Sequence, residues 1–127
     1  MVLKAAILET IYDLKTSNIF RTIASKQSST DILISELKLT RKEYYTRISR
    51  LAKAGLVKRE KGKYLITTFG RVIYSAYLDL ETRIESAIQD YWKLKALDLM
   101  NISSTEENES IISTLIENQE IKNVLLK

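Results

Sequence analysis

The sequence contains neither cysteine nor histidine among its 127 residues. Without these side chains the chain cannot form disulfides, Cys/His zinc sites, thiolate nucleophiles or imidazole general bases. It also lacks a P-loop, a G-x-G-x-x-G segment and a G-x-S-x-G segment. These absences exclude the commonest enzyme chemistries, and we expect a protein that is not an enzyme and that needs no cofactor or metal.

Proline is absent and glycine occurs only three times, so few positions force a helix to end. We therefore predict a mainly α-helical fold. The sequence also lacks an apolar run of about 18 residues. Its N-terminal stretch carries Glu9 and Asp13 where a signal peptide would be uninterruptedly apolar. These features predict that no membrane is a partner and that the protein is cytoplasmic.

Charge is distributed unevenly along the chain. The whole sequence has 20 Lys and Arg against 16 Asp and Glu, a net charge of +4. Residues 1–68 hold 14 of the cations and 6 of the anions, whereas residues 69–127 hold 6 cations and 10 anions. A basic half is therefore joined to an acidic half, and we predict a domain boundary between 68 and 69.

Apolar residues follow one helical face near the N-terminus. Over residues 2–15 they recur at spacings typical of an amphipathic helix, at Leu3, Ile7, Ile11 and Leu14. The polar residues Thr16, Ser17 and Asn18 then interrupt this pattern and can cap a second segment, which carries Ile19, Phe20 and Ile23. The pattern fits either two helices or one bent helix.

A short helix and a brief turn are predicted next. Thr30 and Asp31 can supply a cap and a first-turn acid, and Leu33 and Leu37 lie four residues apart on one face. The turn consists of residues 38–39.

A basic helix follows this turn. Thr40 and Glu43 form a T-x-x-E capping box, and Gly55 is suited to the position just after the helix. Within residues 41–54 one face is predicted to enter the core, with Tyr44, Ile48 and Leu51. The opposite face carries Lys42, Tyr45, Thr46, Ser49 and Lys53.

Beyond Gly55 the pattern changes from helix to strand. The runs LVKRE and YLITT are prone to form strands, and Lys61-Gly62-Lys63 separates them. Two such runs around a glycine turn predict a small basic β-hairpin.

An uninterrupted helical pattern then extends from about Phe69 to Met100. Its apolar residues alternate at spacings of four and three, as in a heptad repeat: Ile73, Tyr77, Leu80, Ile84, Ala87, Tyr91 and Leu94. We predict that this seam forms a homodimer interface, because an exposed stripe of Ile, Tyr and Leu favours association. The alternative is that the stripe folds back against its own domain. The seam does not determine whether paired helices run parallel or antiparallel.

Polar residues 103–109 separate this helix from the C-terminal segment. Ser104 and Glu107 form a second capping-box pattern. Further apolar residues follow at Ile111, Ile112, Leu115 and Ile116, but the phase changes before Ile121, Val124 and Leu125. The pattern fits either two short helices or one irregular helix, to which we assign no role.

Residues 30–67 resemble the winged helix-turn-helix family. The segment LTRKEYYTRISRLAKAGLVKREKGKYLIT is similar to the recognition helix and wing of archaeal and bacterial transcriptional regulators, especially the ArsR-like group. The recurrent family pattern is matched at Leu39, Thr40, Tyr44, Ile48, Leu51, Ala54, Gly55, Leu56 and Val57. Tyr44 departs from the small β-branched residue usual there, and the absence of Cys and His excludes the metal sensing of many ArsR-like members.

This resemblance implies a winged-helix DNA-binding domain over residues 1–68, with a long dimerisation helix and a helical tail over 69–127. The implied partners are double-stranded DNA and a second copy of the chain. Helix 41–54 would enter the major groove and wing 57–67 would follow the backbone or the minor groove. The implied DNA-binding residues are Thr40, Arg41, Lys42, Tyr45, Thr46, Arg47, Ser49, Arg50, Lys58, Arg59, Lys61 and Lys63. Of these, Arg47 and Arg50 flank the helix face and suit phosphates.

Other interpretations of the same residues stay open. The cations of helix 41–54 can form a merely solvated face, and Tyr45 can pack against the N-terminal helix instead of facing DNA. The domain can be a protein–protein interaction module of a transcription or assembly complex, because fold alone does not fix function. A ligand-sensing regulator would need a pocket, for which the candidate lining is Tyr74, Tyr77, Tyr91 and Trp92.

Overall fold

The computed structural model describes residues 2–25, 30–100 and 105–127. Most of these residues are helical, and a two-stranded antiparallel hairpin accompanies the helices, which confirms a mainly α-helical chain with a small β element. In chain order the elements are α1 (Val2–Tyr12), α2 (Leu14–Ser25), α3 (Thr30–Leu37), α4 (Arg41–Lys53), β1 (Val57–Glu60), β2 (Lys63–Ile66), α5 (Thr68–Gln89), α6 (Tyr91–Leu99), α7 (Thr105–Leu115) and α8 (Gln119–Leu125). Within the described ranges, none of the helices is both long enough and apolar enough to cross a bilayer.

The chain divides into two compact units, Met1–Tyr77 and Leu78–Lys127. The division lies inside α5, beyond the boundary at 68–69 that the change in charge suggests. The first part of α5 belongs to the first unit because Ile73 and Tyr74 pack against its core. That core is formed by buried residues from α2, α3, α4 and β1, together with the turns beside them: Ile19, Phe20, Ile23, Leu33, Leu39, Tyr44, Ile48, Leu51, Ala54, Leu56 and Val57.

The N-terminal segment forms two helices, separated at Asp13 and not at residues 16–18. The carboxylate of Asp13 accepts a hydrogen bond from the hydroxyl of Thr16, and the hydroxyl of Ser17 donates to the carbonyl of Leu14 at 3.0 Å. Thr16 and Ser17 are buried inside α2. The prediction that they interrupt the helix is therefore wrong, because their hydroxyls are satisfied locally and do not compete with the helical backbone.

The turn between α3 and α4 is confirmed at residues 38–39. Lys38 has a left-handed backbone with φ of 53°, and Leu39 donates its backbone N–H to the carbonyl of Ile34 at 3.1 Å. This geometry reverses the chain and buries Leu39 in the core. The cap predicted at Thr30 and Asp31 involves side chains outside the described residues.

The hairpin leads into α5 through Thr67. Its backbone N–H donates to the carbonyl of Leu56 at 3.0 Å, and its hydroxyl donates to the carbonyl of Gly55 at 2.6 Å. The same hydroxyl accepts the backbone N–H of Gly70 at 2.8 Å, so Thr67 caps α5. Thr67 thus connects the start of α5 to the turn that follows α4.

The helix predicted from Phe69 to Met100 is interrupted, which corrects the expectation of continuity. Asp90 has φ of −94° and ψ of 12° and separates α5 from α6. The main-chain hydrogen bonds Asp90 N–H to Ser86 and Leu94 N–H to Asp90 still bridge this point, at 3.1 and 2.9 Å. The interruption is therefore local, as expected where an aspartate stands inside a helix.

The C-terminal segment forms two short helices, one of the two alternatives that its pattern allows. The side chain of Asn118 accepts the backbone N–H of Ile121 at 3.0 Å and caps α8. Ile112 and Ile116 are buried. The capping box expected from Ser104 falls on a residue outside the described part of the chain.

Candidate nucleic-acid interface

Helix α4 is defined at both ends by local hydrogen bonds. The hydroxyl of Thr40 accepts the backbone N–H of Glu43 at 3.1 Å, and the carboxylate of Glu43 accepts the backbone N–H of Thr40 at 3.0 Å. This confirms the predicted capping box. At the other end Gly55 has φ of 78°, and Leu56 donates its N–H to the carbonyl of Leu51 at 3.0 Å, a Schellman arrangement.

The two faces of α4 differ sharply in exposure. Tyr44, Ile48 and Leu51 are at most 2% exposed, which confirms the predicted core face. The outward residues are all exposed: Arg41, Lys42, Tyr45, Thr46, Ser49, Arg50 and Lys53. Tyr45 is 51% exposed and its ring meets that of Tyr44 edge-on, with 5.3 Å between centroids. The outward face is therefore cationic and polar with one aromatic side chain, and we call it the α4 outer face.

Arg47, which the sequence predicts to flank the α4 outer face and contact phosphates, turns away from that face towards Asp13. Its Nε lies 3.2 Å from a carboxylate oxygen of Asp13, and its Nη1 donates to the carbonyl of Glu43 at 3.2 Å. Only 20% of its side chain is exposed. The guanidinium therefore fastens α4 to the junction of α1 and α2.

Two ionised carboxylates, Asp13 at the junction of α1 and α2 and Glu43 in the first turn of α4, stabilise the position of this helix. Burial opposes the charge of Asp13, but hydrogen bonds from Thr16 and Arg47 outweigh burial and lower the pKa of Asp13 below its ordinary 3.8. Hydrogen bonds from the ammonium of Lys15 and from the backbone of Thr40 lower the pKa of Glu43 to about 2. Both groups are therefore ionised near neutral pH. Asp13 then pairs with Arg47 of α4, and Glu43 accepts the backbone N–H of Thr40 at the N-terminus of the helix.

The hairpin turns at Lys61 and Gly62, with φ of 52° and 77°, as in a type I′ turn. Its register pairs Val57 with Ile66, Lys58 with Leu65, Arg59 with Tyr64 and Glu60 with Lys63.

The predicted wing cations fall on both faces of this hairpin. Residues directly opposite each other share a face, and successive residues of a strand lie on opposite faces. Lys58 and Lys63 therefore share one face with Glu60, whose carboxylate lies 3.6 Å from the Lys58 ammonium. Arg59 shares the other face with Tyr64. Lys61 is at the tip, and all four cations are exposed.

The residues predicted to form the dimer seam are divided among three environments. Ile73 and Tyr77 belong to the first unit, where the Tyr77 hydroxyl accepts a hydrogen bond from Arg21 at 2.8 Å. Ala87 and Leu94 line a cavity of about 240 Å³ within the second unit. The remaining three seam residues are exposed: Leu80, Ile84 and Tyr91.

The four aromatic residues proposed as a ligand-pocket lining are also separated. Tyr74 and Tyr77 stack at 6.2 Å in the first unit, and Tyr74 meets Phe20 edge-on at 5.6 Å. Tyr91 and Trp92 belong to the second unit, where both are exposed. The 240 Å³ cavity is lined by none of these four residues.

Sequence reasoning did not identify Asp13 and Thr67 as residues that position the site. Asp13 is separated from Arg47 by 34 residues, and no periodic pattern links positions so far apart. Thr67 carried a detectable signal, because a threonine before a helical pattern is a typical cap.

Comparisons of the chain with protein-family models, with curated proteins and with solved structures returned no match. Among the described residues there is no group of three or more acidic side chains placed to hold a metal ion.

Proposed function

We propose that this protein is a winged helix-turn-helix transcriptional regulator that binds double-stranded DNA as a homodimer. The observation that carries the proposal is the contrast on α4, whose inner face is buried in the core while its outer face presents Arg41, Lys42, Tyr45, Thr46, Ser49 and Arg50. A helix of about 10–12 Å diameter fits a major groove about 12 Å wide.

The order of elements supports the proposal. A short helix, a tight turn, a helix with a polar outward face and a basic hairpin follow one another as α3, residues 38–39, α4 and β1–β2. In this arrangement α4 is the recognition helix and the hairpin is the wing. Arg41, Lys42 and Tyr45 lie in its N-terminal half, from which side chains of a recognition helix reach base edges. In the proposed complex, Lys58, Lys61 and Lys63 contact phosphates from the wing.

Arg47 has a different role in this proposal from the one that its sequence position suggests. Because its guanidinium is engaged with Asp13, it orients α4 and leaves phosphate contact to Arg50 and the wing. Two recognition helices of a homodimer would lie about one helical turn apart on the duplex, so the target would be an inverted repeat.

The protein-binding alternative predicts an apolar patch on the same surface. Tyr45 is the single large hydrophobic residue of α4 with substantial exposure. The α4 outer face therefore fits a polyanion better than an apolar protein surface.

Selection from random-sequence duplexes, followed by affinity measurements on the selected site, tests the proposal. We expect Arg41→Ala combined with Tyr45→Ala to weaken binding by about tenfold or more, since one bidentate base contact contributes about 1–3 kcal/mol. Lys127→Ala, which removes an exposed cation from the end of the chain, serves as the control and should bind normally. Unchanged affinity in the double variant, or the absence of any enriched duplex, would contradict the proposal.

A further inference from the structure

An exposed apolar stripe extends along the second unit from α5 into α6. It is formed by Leu80, Ile84, Ile88, Tyr91 and Trp92, of which Ile88 is 66% and Trp92 is 74% exposed. Residues 80, 84, 88 and 92 are each four apart and form one ridge of the helix surface. This stripe differs from the heptad seam predicted from the sequence. It includes Ile88 and Trp92, which the seam does not, whereas the seam residues Ala87 and Leu94 line the cavity within the second unit.

The stripe stays on one continuous helical path despite the interruption at Asp90. The main-chain hydrogen bonds from Asp90 to Ser86 and from Leu94 to Asp90 carry the helical pattern across this point. Ile84 and Trp92 therefore lie one turn to either side of Ile88, the central residue of the ridge. A surface of this kind is the expected contact area of another helix.

The charges beside the stripe have opposite signs at its two ends. Glu81 and Glu85 flank the Leu80 end, whereas Lys95 lies beyond Trp92. The Lys95 ammonium is held over the aromatic pair, 5.9 Å from the ring centroid of Tyr91 and 5.4 Å from that of Trp92. The cation therefore has a defined position at one end of the stripe.

This arrangement of charges is complementary to a second copy of the same surface only when the two copies run antiparallel. Glu81 and Lys95 are equally distant in sequence from Ile88, and so are Ile84 and Trp92. An antiparallel pair with its two-fold axis at Ile88 would place each Glu81 beside the Lys95 of the other copy, and each Ile84 beside the other Trp92. A parallel pair in register would instead place Glu81 against Glu81 and Lys95 against Lys95, which is repulsive.

We infer that two copies of this chain associate antiparallel through the α5–α6 stripe, with Ile88 on the two-fold axis and two symmetric Glu81–Lys95 ion pairs. This inference rests on the homodimer of the proposed function and specifies its surface and orientation.

Site-specific crosslinking tests the orientation directly, because the chain has no cysteine of its own. Disulfides form only when the Cα atoms lie within about 7 Å. We expect Ile88→Cys to give a covalent dimer under mild oxidation. Glu81→Cys and Lys95→Cys should crosslink efficiently only when the two variants, tagged to differ in mass, are mixed. Ser113→Cys, an exposed position on α7, is the matched control and should remain uncrosslinked.

Charge reversal gives an independent measurement by sedimentation equilibrium. We expect Glu81→Lys alone and Lys95→Glu alone each to weaken self-association by about fivefold or more, and the double variant to restore it. Far-UV circular dichroism checks that each variant is folded. Crosslinking of Glu81→Cys with itself, or a double variant no tighter than the single variants, would overturn the antiparallel orientation.

Failure of this inference and failure of DNA binding are distinguishable in the same proteins. A chain that is monomeric at micromolar concentration overturns the inferred interface even if it selects a duplex. Failure to enrich any duplex rejects the DNA-binding proposal, yet the crosslinking pattern would still support the antiparallel dimer.

Discussion

Asp13 shows how one side chain can connect distant parts of the sequence. Its carboxylate accepts hydrogen bonds from Thr16 and from Arg47, and so it serves both the junction of α1 and α2 and the position of α4. Both partners favour the ionised carboxylate, which is why the pKa of Asp13 is lowered although burial opposes its charge. The residue therefore contributes to stability only while it is charged.

Asp13→Asn should lower the free energy of unfolding at about pH 7 by about 1 kcal/mol, because the ion pair with Arg47 is only partly shielded from solvent. The folded-state pKa of Asp13 lies below 3.8, so its stabilising contribution is complete above that pH and is lost as the pH falls through the folded-state pKa. The difference in stability between wild type and variant should therefore shrink towards strong acid.

Urea unfolding measured at several pH values from about 7 down to about 2 checks this expectation. Asp98→Asn, which changes an exposed aspartate of α6, is the matched control and should leave stability nearly unchanged. If Asp13→Asn and the wild type had the same free energy of unfolding at neutral pH, the role assigned to Asp13 would be contradicted.

At the scale of elements, the start of α5 is set by its close approach to the main chain at Leu56, between α4 and β1. The backbone of Gly70 comes so close to the main chain at Leu56 that a Cβ atom built on Gly70 would lie 2.1 Å from the Leu56 carbonyl oxygen. The same atom would lie 2.9 Å from Cγ1 of Ile66. Glycine is required here by proximity to backbone, which cannot move aside as a flexible side chain can.

Gly70→Ala should therefore destabilise the protein by about 1–3 kcal/mol, although alanine favours helix more than glycine does. Ser75→Ala, at an exposed position of the same helix, is the matched control and should change stability by less than about 0.5 kcal/mol. Thermal or urea unfolding measures both. A Gly70→Ala protein more stable than the wild type would show that the helix start can move away from Leu56 at low cost.

At the scale of the whole molecule, the two compact units carry net charges of opposite sign. The first compact unit, residues 1–77, contains 15 Lys and Arg against 6 Asp and Glu, whereas residues 78–127 contain 5 against 10. In the proposed function, the basic unit neutralises DNA phosphates and the acidic unit carries the contact between copies. A positive field of this kind makes binding to DNA strongly dependent on salt.

We expect affinity for the selected duplex to fall by roughly 10³ to 10⁵ between about 50 and 200 mM salt, as for a protein that neutralises about six to ten phosphates. Replacement of Lys58 and Lys63 by alanine should reduce the slope by about two, because each wing cation would release about one counterion. Fluorescence anisotropy over a salt series measures both. A flat dependence on salt would argue against contact with the DNA backbone.

The local elements of the first unit could be predicted from the sequence because their causes lie within a few residues. The Thr40–Glu43 capping box, the helix-ending position of Gly55 and the glycine turn at Gly62 each depend on neighbours along the chain, although the structure shortens the predicted Lys61-Gly62-Lys63 turn to two residues by pairing Lys63 with Glu60. The buried face of α4 follows from periodicity in the same way. Each of these features was recognisable without knowledge of the tertiary structure.

Only the tertiary structure decided how the side chains of these elements are used. Arg47 turns inward because Asp13, distant in sequence, is brought beside it, and Ala87 and Leu94 line a cavity together with residues of α8. Periodicity shows that a helix has an apolar face, but it does not reveal which neighbour covers each residue of that face. The sequence thus determined that the first unit consists of helices and a hairpin with a cationic outer face on α4, whereas long-range packing determined which cations and apolar residues remain exposed.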